Sequence, residues 1–246
     1  MARYDFNAQR LFVAADLSRA ARVTCDAAQA NYLKNVLRLK VGDPVLLFNG
    51  RDGEWRAELV EAGRRGVSLV LAVKVREQED GPDIDYLFAP LKRARQDYMV
   101  QKATEMGVAR LRPVLTRHTI AERVNVERMR ANVIEAAEQC GVLRIPEVVA
   151  PERLDKVIGQ WDAARGLVFC DEGSDLQPPL EALGRLKPGP VAVLVGPEGG
   201  FDEGERALLS SMPFVTRISL GPRILRADTA AVAVLALVNA VRGGRH

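Results

Sequence analysis

The chain has 246 residues, 48% of them hydrophobic and 27% charged, the balance of an ordinary folded protein and not of a disordered or fibrous one. Its net charge of +3 hides a division: residues 1–74 carry +4, residues 92–130 carry +6, and the remainder −7. A basic front with an acidic back suits docking of a polyanion on one side, chance clustering on solvated faces being the plain alternative. No run is long and apolar enough to span a membrane, the longest being Ala230–Val238.

In chain order, residues 1–74 read as β-rich. Val45–Phe48 meets Asn49-Gly50, Asp52-Gly53 leads into Trp55–Val60, and Gly63 and Gly66 precede Val67–Val75. Short strands parted by turn dipeptides predict a small barrel. Residues 75–83, with polar Gln78–Asp83 around Gly81-Pro82, read as the linker. From 84 to 246 strands alternate with helices. Ile84–Ala89 is a strand. Gln96–Met106 puts Met99, Val100, Ala103 and Met106 on one helical face, and Gly107 stops it. Asn125 caps a helix with Met129, Val133, Ile134 and Ala137 inward, ended by Gly141. Leu167–Cys170, Val191–Val195 and Val215–Leu220 are further strands, and Asp228 or Thr229 caps a last helix to about Arg242. This alternation predicts an α/β domain with a largely parallel sheet. The last helix is apolar nearly all round and is expected to be buried, in a subunit interface for instance.

Three widely spaced cysteines, Cys25, Cys140 and Cys170, make neither a disulfide framework nor a zinc spacing. They suit a reducing compartment, and with no signal peptide visible in the first fifteen residues a cytoplasmic location is expected. His118 and His246 lack companions at ligand spacing, so no metal is expected.

The chemistry concentrates in two segments, Leu194-Val195-Gly196-Pro197-Glu198-Gly199-Gly200-Phe201 and Leu220-Gly221-Pro222-Arg223-Ile224-Leu225-Arg226-Ala227-Asp228-Thr229. Each follows an apolar run, so each reads as a buried strand ending in a loop where backbone faces a ligand. Neither a Rossmann nor a P-loop spacing is present. The pair resembles the cofactor half of the SPOUT methyltransferases and, within them, the RsmE family. That resemblance extends over nearly the whole chain. Tyr32–Asp43 looks like the family's PUA-like RNA-binding barrel; Leu91-Lys92 with Val100–Val108, and Glu135–Gly141 before Ile145-Pro146, look like its methyltransferase domain.

The resemblance implies a trefoil-knotted SPOUT domain, a homodimer, and S-adenosylmethionine as cofactor. It implies methylation of N3 of a uridine in 16S rRNA near the decoding site, on the small ribosomal subunit. Gly196, Pro197, Glu198, Gly199 and Gly200, with Leu220, Gly221, Ile224, Leu225, Arg226 and Thr229, would hold the cofactor, the apolar Leu220, Ile224 and Leu225 lining an adenine slot. The end of the Leu167–Cys170 strand would touch the same cofactor. Uridine N3 must lose a proton before it attacks the methyl group, so Arg226 and Asp228 are the catalytic candidates. The plain alternatives are a helix cap for Asp228, an ion pair with it for Arg226, and ordering of its own loop for Glu198. Arg38 and Lys40 on the barrel, and Lys92, Arg93, Arg95 and Lys102, are candidates for RNA phosphate; Lys102 and Glu105, three apart, could instead form a local ion pair. Tyr32 and Trp55 could stack on bases or serve the barrel core.

The chain departs from the family pattern at Asn31-Tyr32, where paired histidines are expected, at Arg117-His118-Thr119, and at Ala227-Asp228-Thr229 in place of Thr-Glu-Thr. The aspartate keeps the carboxylate but shortens its reach by one methylene. Two other functions remain open: a related SPOUT enzyme acting on another RNA atom, and a non-catalytic ribosome-assembly factor that binds RNA.

Overall fold

The computed structural model describes residues 8–63, 66–120, 123–171 and 178–243, so the part of the sequence reading that falls on His246 lies outside them. The chain divides into two compact units, Met1–Asp80 with Ala137–Ile145, and Gly81–Ala136 with Pro146–His246.

The first unit holds β1 (Arg10–Phe12), β2 (Arg22–Thr24), α1 (Ala27–Asn31), a π-helical turn (Tyr32–Val36), β3 (Pro44–Phe48), β4 (Glu54–Gly63) and β5 (Gly66–Arg76). Their order in the sheet is β1-β3-β4-β5-β2, with β1 parallel to β3 and every other pair antiparallel. The long β4–β5 ladder shifts register between Glu54 and Trp55, Arg56 and Ala57, and Leu59 and Glu61. Each shift bends and twists the ribbon, which curls the sheet around one apolar core. That core contains Leu11, Val23, Leu33, Val45, Leu47, Leu59, Leu69 and Leu71, with Tyr32 and Trp55 packed at its edge. The Trp55 indole also donates to the Asp52 carbonyl at 3.0 Å.

The turn dipeptides of the sequence are one network. Asn49 accepts from the N–H groups of Arg51 and Asp52, while the Asp52 carboxylate accepts from Asn49 and from the Leu17 N–H at 2.9 Å. The Leu17 bond, followed by that of Asn49, holds the Asp52 carboxyl below its usual range.

A segment that chain order alone assigns to the methyltransferase region packs with this unit instead. Ala137 and Leu143 cluster with Phe48, Glu138 accepts from the Phe12 N–H at 2.8 Å, and Arg76 donates to the Gly141 carbonyl at 2.9 Å.

The second unit contains β6 (Ile84–Phe88), α2 (Arg93–Glu105), β7 (Arg110–Leu115), most of α3 (Val126–Cys140), β8 (Glu147–Val148), β9 (Glu152–Arg153) and α4 (Leu154–Gly159). It continues with β10 (Gly166–Cys170), α5 (Pro179–Gly184), β11 (Val191–Val195), α6 (Glu203–Ser211), β12 (Val215–Ile218) and α7 (Ala227–Gly243). All its strand pairs are parallel, in the order β12-β10-β11-β6-β7-β8, with β9 paired to β7. β6 and β11 are buried at every residue, as parallel strands covered on both faces must be. Asn125 caps α3 by accepting from the Arg128 N–H at 2.9 Å.

Two boundaries differ from expectation. α2 starts at Arg93, three residues before the expected start at Gln96, because its first turn carries charge and has no period to read. α7 starts at Ala227, and the Arg226 carbonyl accepts from the Ala230 N–H at 2.8 Å. Arg226 therefore holds the cap position assigned to Asp228 or Thr229, and Asp228 sits in the first turn, where a carboxylate favours the helix dipole.

Candidate cofactor cavity

β12, β10 and β11 lie side by side and parallel, so their C-terminal ends open at one edge of the sheet, the usual location of sites in α/β folds. A cavity of about 840 Å³ lies there, within the range that holds small ligands and cofactors. Its walls are the end of β11 with the loop to Phe201, the loop from Ser219 to Ala227, Cys170-Asp171 at the end of β10, and Pro178-Pro179 leading into α5; Ala230 of α7 also contributes.

The first loop is shaped by Phe201. Its ring meets Phe169 edge-on at 4.9 Å and lies against Gly196, where an added Cβ would fall 2.3 Å from a ring carbon. Gly196 is thus a close-approach glycine: any side chain there would push the ring away. His118 braces the same loop, its Nδ1 standing 3.1 Å from the carbonyl oxygens of both Gly199 and Gly200. Since both partners are acceptors, Nδ1 carries the proton and donates. Glu198 forms an ion pair with Arg95 of α2. Asp202 and Glu205 close a reciprocal capping box at the start of α6, with Asp202 accepting from the Glu205 N–H at 2.7 Å.

Across the cavity, Leu220, Ile224 and Leu225 supply apolar surface, and Ile224 is 91% exposed. Gly221 has φ +106°, a backbone conformation open to glycine and strained for other residues.

At the end of β10 the Asp171 carboxylate is fully buried. It pairs with Arg206 at 2.9 Å and accepts from Arg217 at 2.6 and 3.1 Å. Two guanidiniums on one carboxylate satisfy its oxygens and leave a net positive charge beside the cavity. Burial pushes the neighbouring Cys170 thiol up to about 12, so it stays protonated at neutral pH and offers no nucleophile.

Of the expected cofactor residues, Gly196, Pro197, Glu198, Gly200, Leu220, Gly221, Ile224, Leu225 and Arg226 line the cavity. Gly199 faces His118, and Thr229 is exposed on α7 with its N–H donating to the Asp228 carboxylate at 3.0 Å; neither lines the cavity, nor does Asp228. Among the RNA candidates, Arg38, Lys40, Lys92 and Arg93 are exposed. Arg95 is held by Glu198, and Lys102 by Glu105 at 2.7 and 2.9 Å. His118 stood in the sequence only as a departure from the family pattern without companions at metal-ligand spacing, not as a brace of this loop, and Arg206 and Arg217 escaped the sequence reading. The available signals were an arginine inside the apolar run of β12 and an aspartate directly after β10, 46 residues apart.

The lining suits S-adenosylmethionine: room for a nucleoside with its amino-acid tail, apolar side chains for a base, and backbone loops for polar edges. Among the described residues no group of His, Cys, Asp and Glu could hold a metal ion, and no helix is long and apolar enough to cross a membrane.

Residues 78–239 match the RNA methyltransferase domain family, and residues 25–72 match the RNA methyltransferase PUA domain family. The chain is 33% identical over 213 residues to ribosomal RNA small subunit methyltransferase E of Rickettsia conorii, covering 85% of each chain. It is 32% identical over 239 residues to the protein of that name from Synechocystis, covering 95% of this chain and 78% of the other. Among solved structures, it is similar to one from Legionella pneumophila, described as a methyltransferase in complex with the bound cofactor SAM. The TM-score is 0.85 at 27% identity, over 95% of this chain and 98% of that one.

Proposed function

The chain belongs to the ribosomal RNA small subunit methyltransferase E family of RNA methyltransferases, and from that premise we propose that it transfers a methyl group from S-adenosylmethionine to N3 of a uridine in 16S rRNA. The observation that carries this reading is the cavity itself, two glycine loops at the ends of parallel strands with an apolar wall and arginines around it.

When bound, S-adenosylmethionine supplies an activated methyl group and its own leaving group, which leaves orientation and electrostatics to the protein. The Gly196–Phe201 loop presents backbone polar groups from a braced position. Leu220, Ile224 and Leu225 cover the base. The imide proton must leave uridine N3 before that nitrogen attacks, and Arg226 at the cavity stabilises the negative charge that develops. Asp228, in the first turn of α7 next to the cavity-lining Ala227 but not itself part of the wall, is the carboxylate candidate to receive the proton once RNA is bound. The basic segments grip the RNA, and the enzyme works as a knotted homodimer in the cytoplasm on assembled small subunits near the decoding site.

Incubating the protein with labelled S-adenosylmethionine and unmodified small subunits, followed by nucleoside analysis, tests this reading. Label in 3-methyluridine is expected. Label in another nucleoside overturns the choice of atom and keeps the reaction class; no label with cofactor binding intact overturns catalysis on this RNA. Sedimentation at micromolar concentration tests the dimer, which a monomer would refute.

A further inference from the structure

On the same edge of the second unit's sheet, between the loops that follow β6 and β7, lies a separate cavity of about 340 Å³. Arg93, Arg123 and Arg128 line it against a single carboxylate, Asp97. Asp97 is already saturated: Arg128 donates to both of its oxygens, at 2.6 to 3.1 Å, and Asn132 adds a bond at 2.7 Å. That arrangement fixes the Arg128 guanidinium in one orientation. Arg93 and Arg123 are exposed and have no ion pair or side-chain hydrogen bond among the described residues. With three guanidiniums against one carboxylate, the cavity therefore keeps an excess of positive charge around a pre-oriented Arg128. The N-terminal ends of α2, at Arg93, and α3, after Asn125, open into it and add their partial positive charge.

We propose that this cavity is a phosphate subsite, taking a backbone phosphodiester of the RNA as its target nucleotide reaches the cofactor cavity. The inference rests on the RNA methyltransferase reading. Arginine forks match phosphate oxygens in pairs, and three from two stretches of chain, the start of α2 and the entry to α3, suit a tetrahedral anion better than one flat carboxylate. Its placement fits a flanking nucleotide. Arg93 and Arg95 share the first turn of α2; Arg93 faces this cavity, while Arg95 pairs with Glu198 at the cofactor cavity. One helical turn thus joins the two sites, and RNA engaged at one passes the other.

The test is the salt dependence of binding to unmodified small ribosomal subunits, comparing the unsubstituted protein with Arg123→Gln and Arg93→Gln. Each phosphate contact removed is expected to lower the slope of log K against log salt by about 0.7 to 0.9. Affinity should fall several-fold at low salt, with S-adenosylhomocysteine binding and thermal midpoint unchanged. Arg123→Lys should recover part of the slope. An unchanged slope in both glutamine variants overturns the subsite alone. Competition with pyrophosphate separates the sources: pyrophosphate binding lost in the variants while the RNA slope stays constant means a small-anion site and overturns the RNA assignment. A wild-type protein that binds no RNA overturns the subsite and the functional reading together.

Discussion

The loop after β11 is held from several sides, whereas the loop after β12 is held by little beyond its own backbone. In the first, Phe201 packs between Gly196 and Phe169, Glu198 meets Arg95, and the carbonyls of Gly199 and Gly200 share the His118 N–H. In the second, the side-chain bonds among the described residues are long ones, Ser219 with Gly221 at 3.4 and 3.5 Å, and Arg223, Ile224 and Arg226 are exposed. One wall of the cavity is pre-organised and the other waits for what it covers. A rigid wall lowers the ordering cost of binding, and an open one lets a bulky ligand enter.

That contrast can be broken in order of expected effect. Phe201→Ala removes the ring on which the first loop rests and should cost about 3 kcal/mol, the lower end for a buried phenylalanine; urea unfolding measures it. Gly196→Ala should cost about 1 to 3 kcal/mol through overpacking against the same ring. If the clash is the cause, Phe201→Leu in the Gly196→Ala background should restore part of the loss, a coupling that a double-mutant cycle reads.

On the other wall the effects should be smaller. Gly221→Ala meets no neighbour within 4 Å but keeps φ +106°, so it should lose about 1 kcal/mol as backbone strain. Ile224→Ser should leave stability within about 0.5 kcal/mol, since little is buried there, yet weaken S-adenosylhomocysteine in calorimetry. Should Ile224→Ser destabilise the protein as much as Phe201→Ala, both walls would be packed alike and the contrast would disappear.

The parts legible in the sequence are those with strong local patterns. β11 reads from five consecutive apolar residues and a terminating glycine, and α3 from the face Met129-Val133-Ala137 with an asparagine before it. The π-helical turn and the three-residue strands β1 and β2 carry too few residues to show a period. Much of the cavity lining falls on the two glycine loops because strand ends announce themselves. The supports of those loops do not. His118 lies 81 residues from Gly199, and Arg95 reaches Glu198 from the first turn of α2.

The sequence by itself therefore determined the strongly patterned elements, among them β6, β11 and α3, the two glycine loops and the family, since hydrophobic period and turn chemistry act over a few residues. Only the tertiary structure decided that Ala137–Ile145 packs with the first unit, that Asp171 draws in Arg206 and Arg217, and that Arg123 and Arg128 meet Arg93 around one cavity. The physical reason is that a charge or ring at such a position has many permissible partners along the chain, and packing of the parallel sheet selects among them.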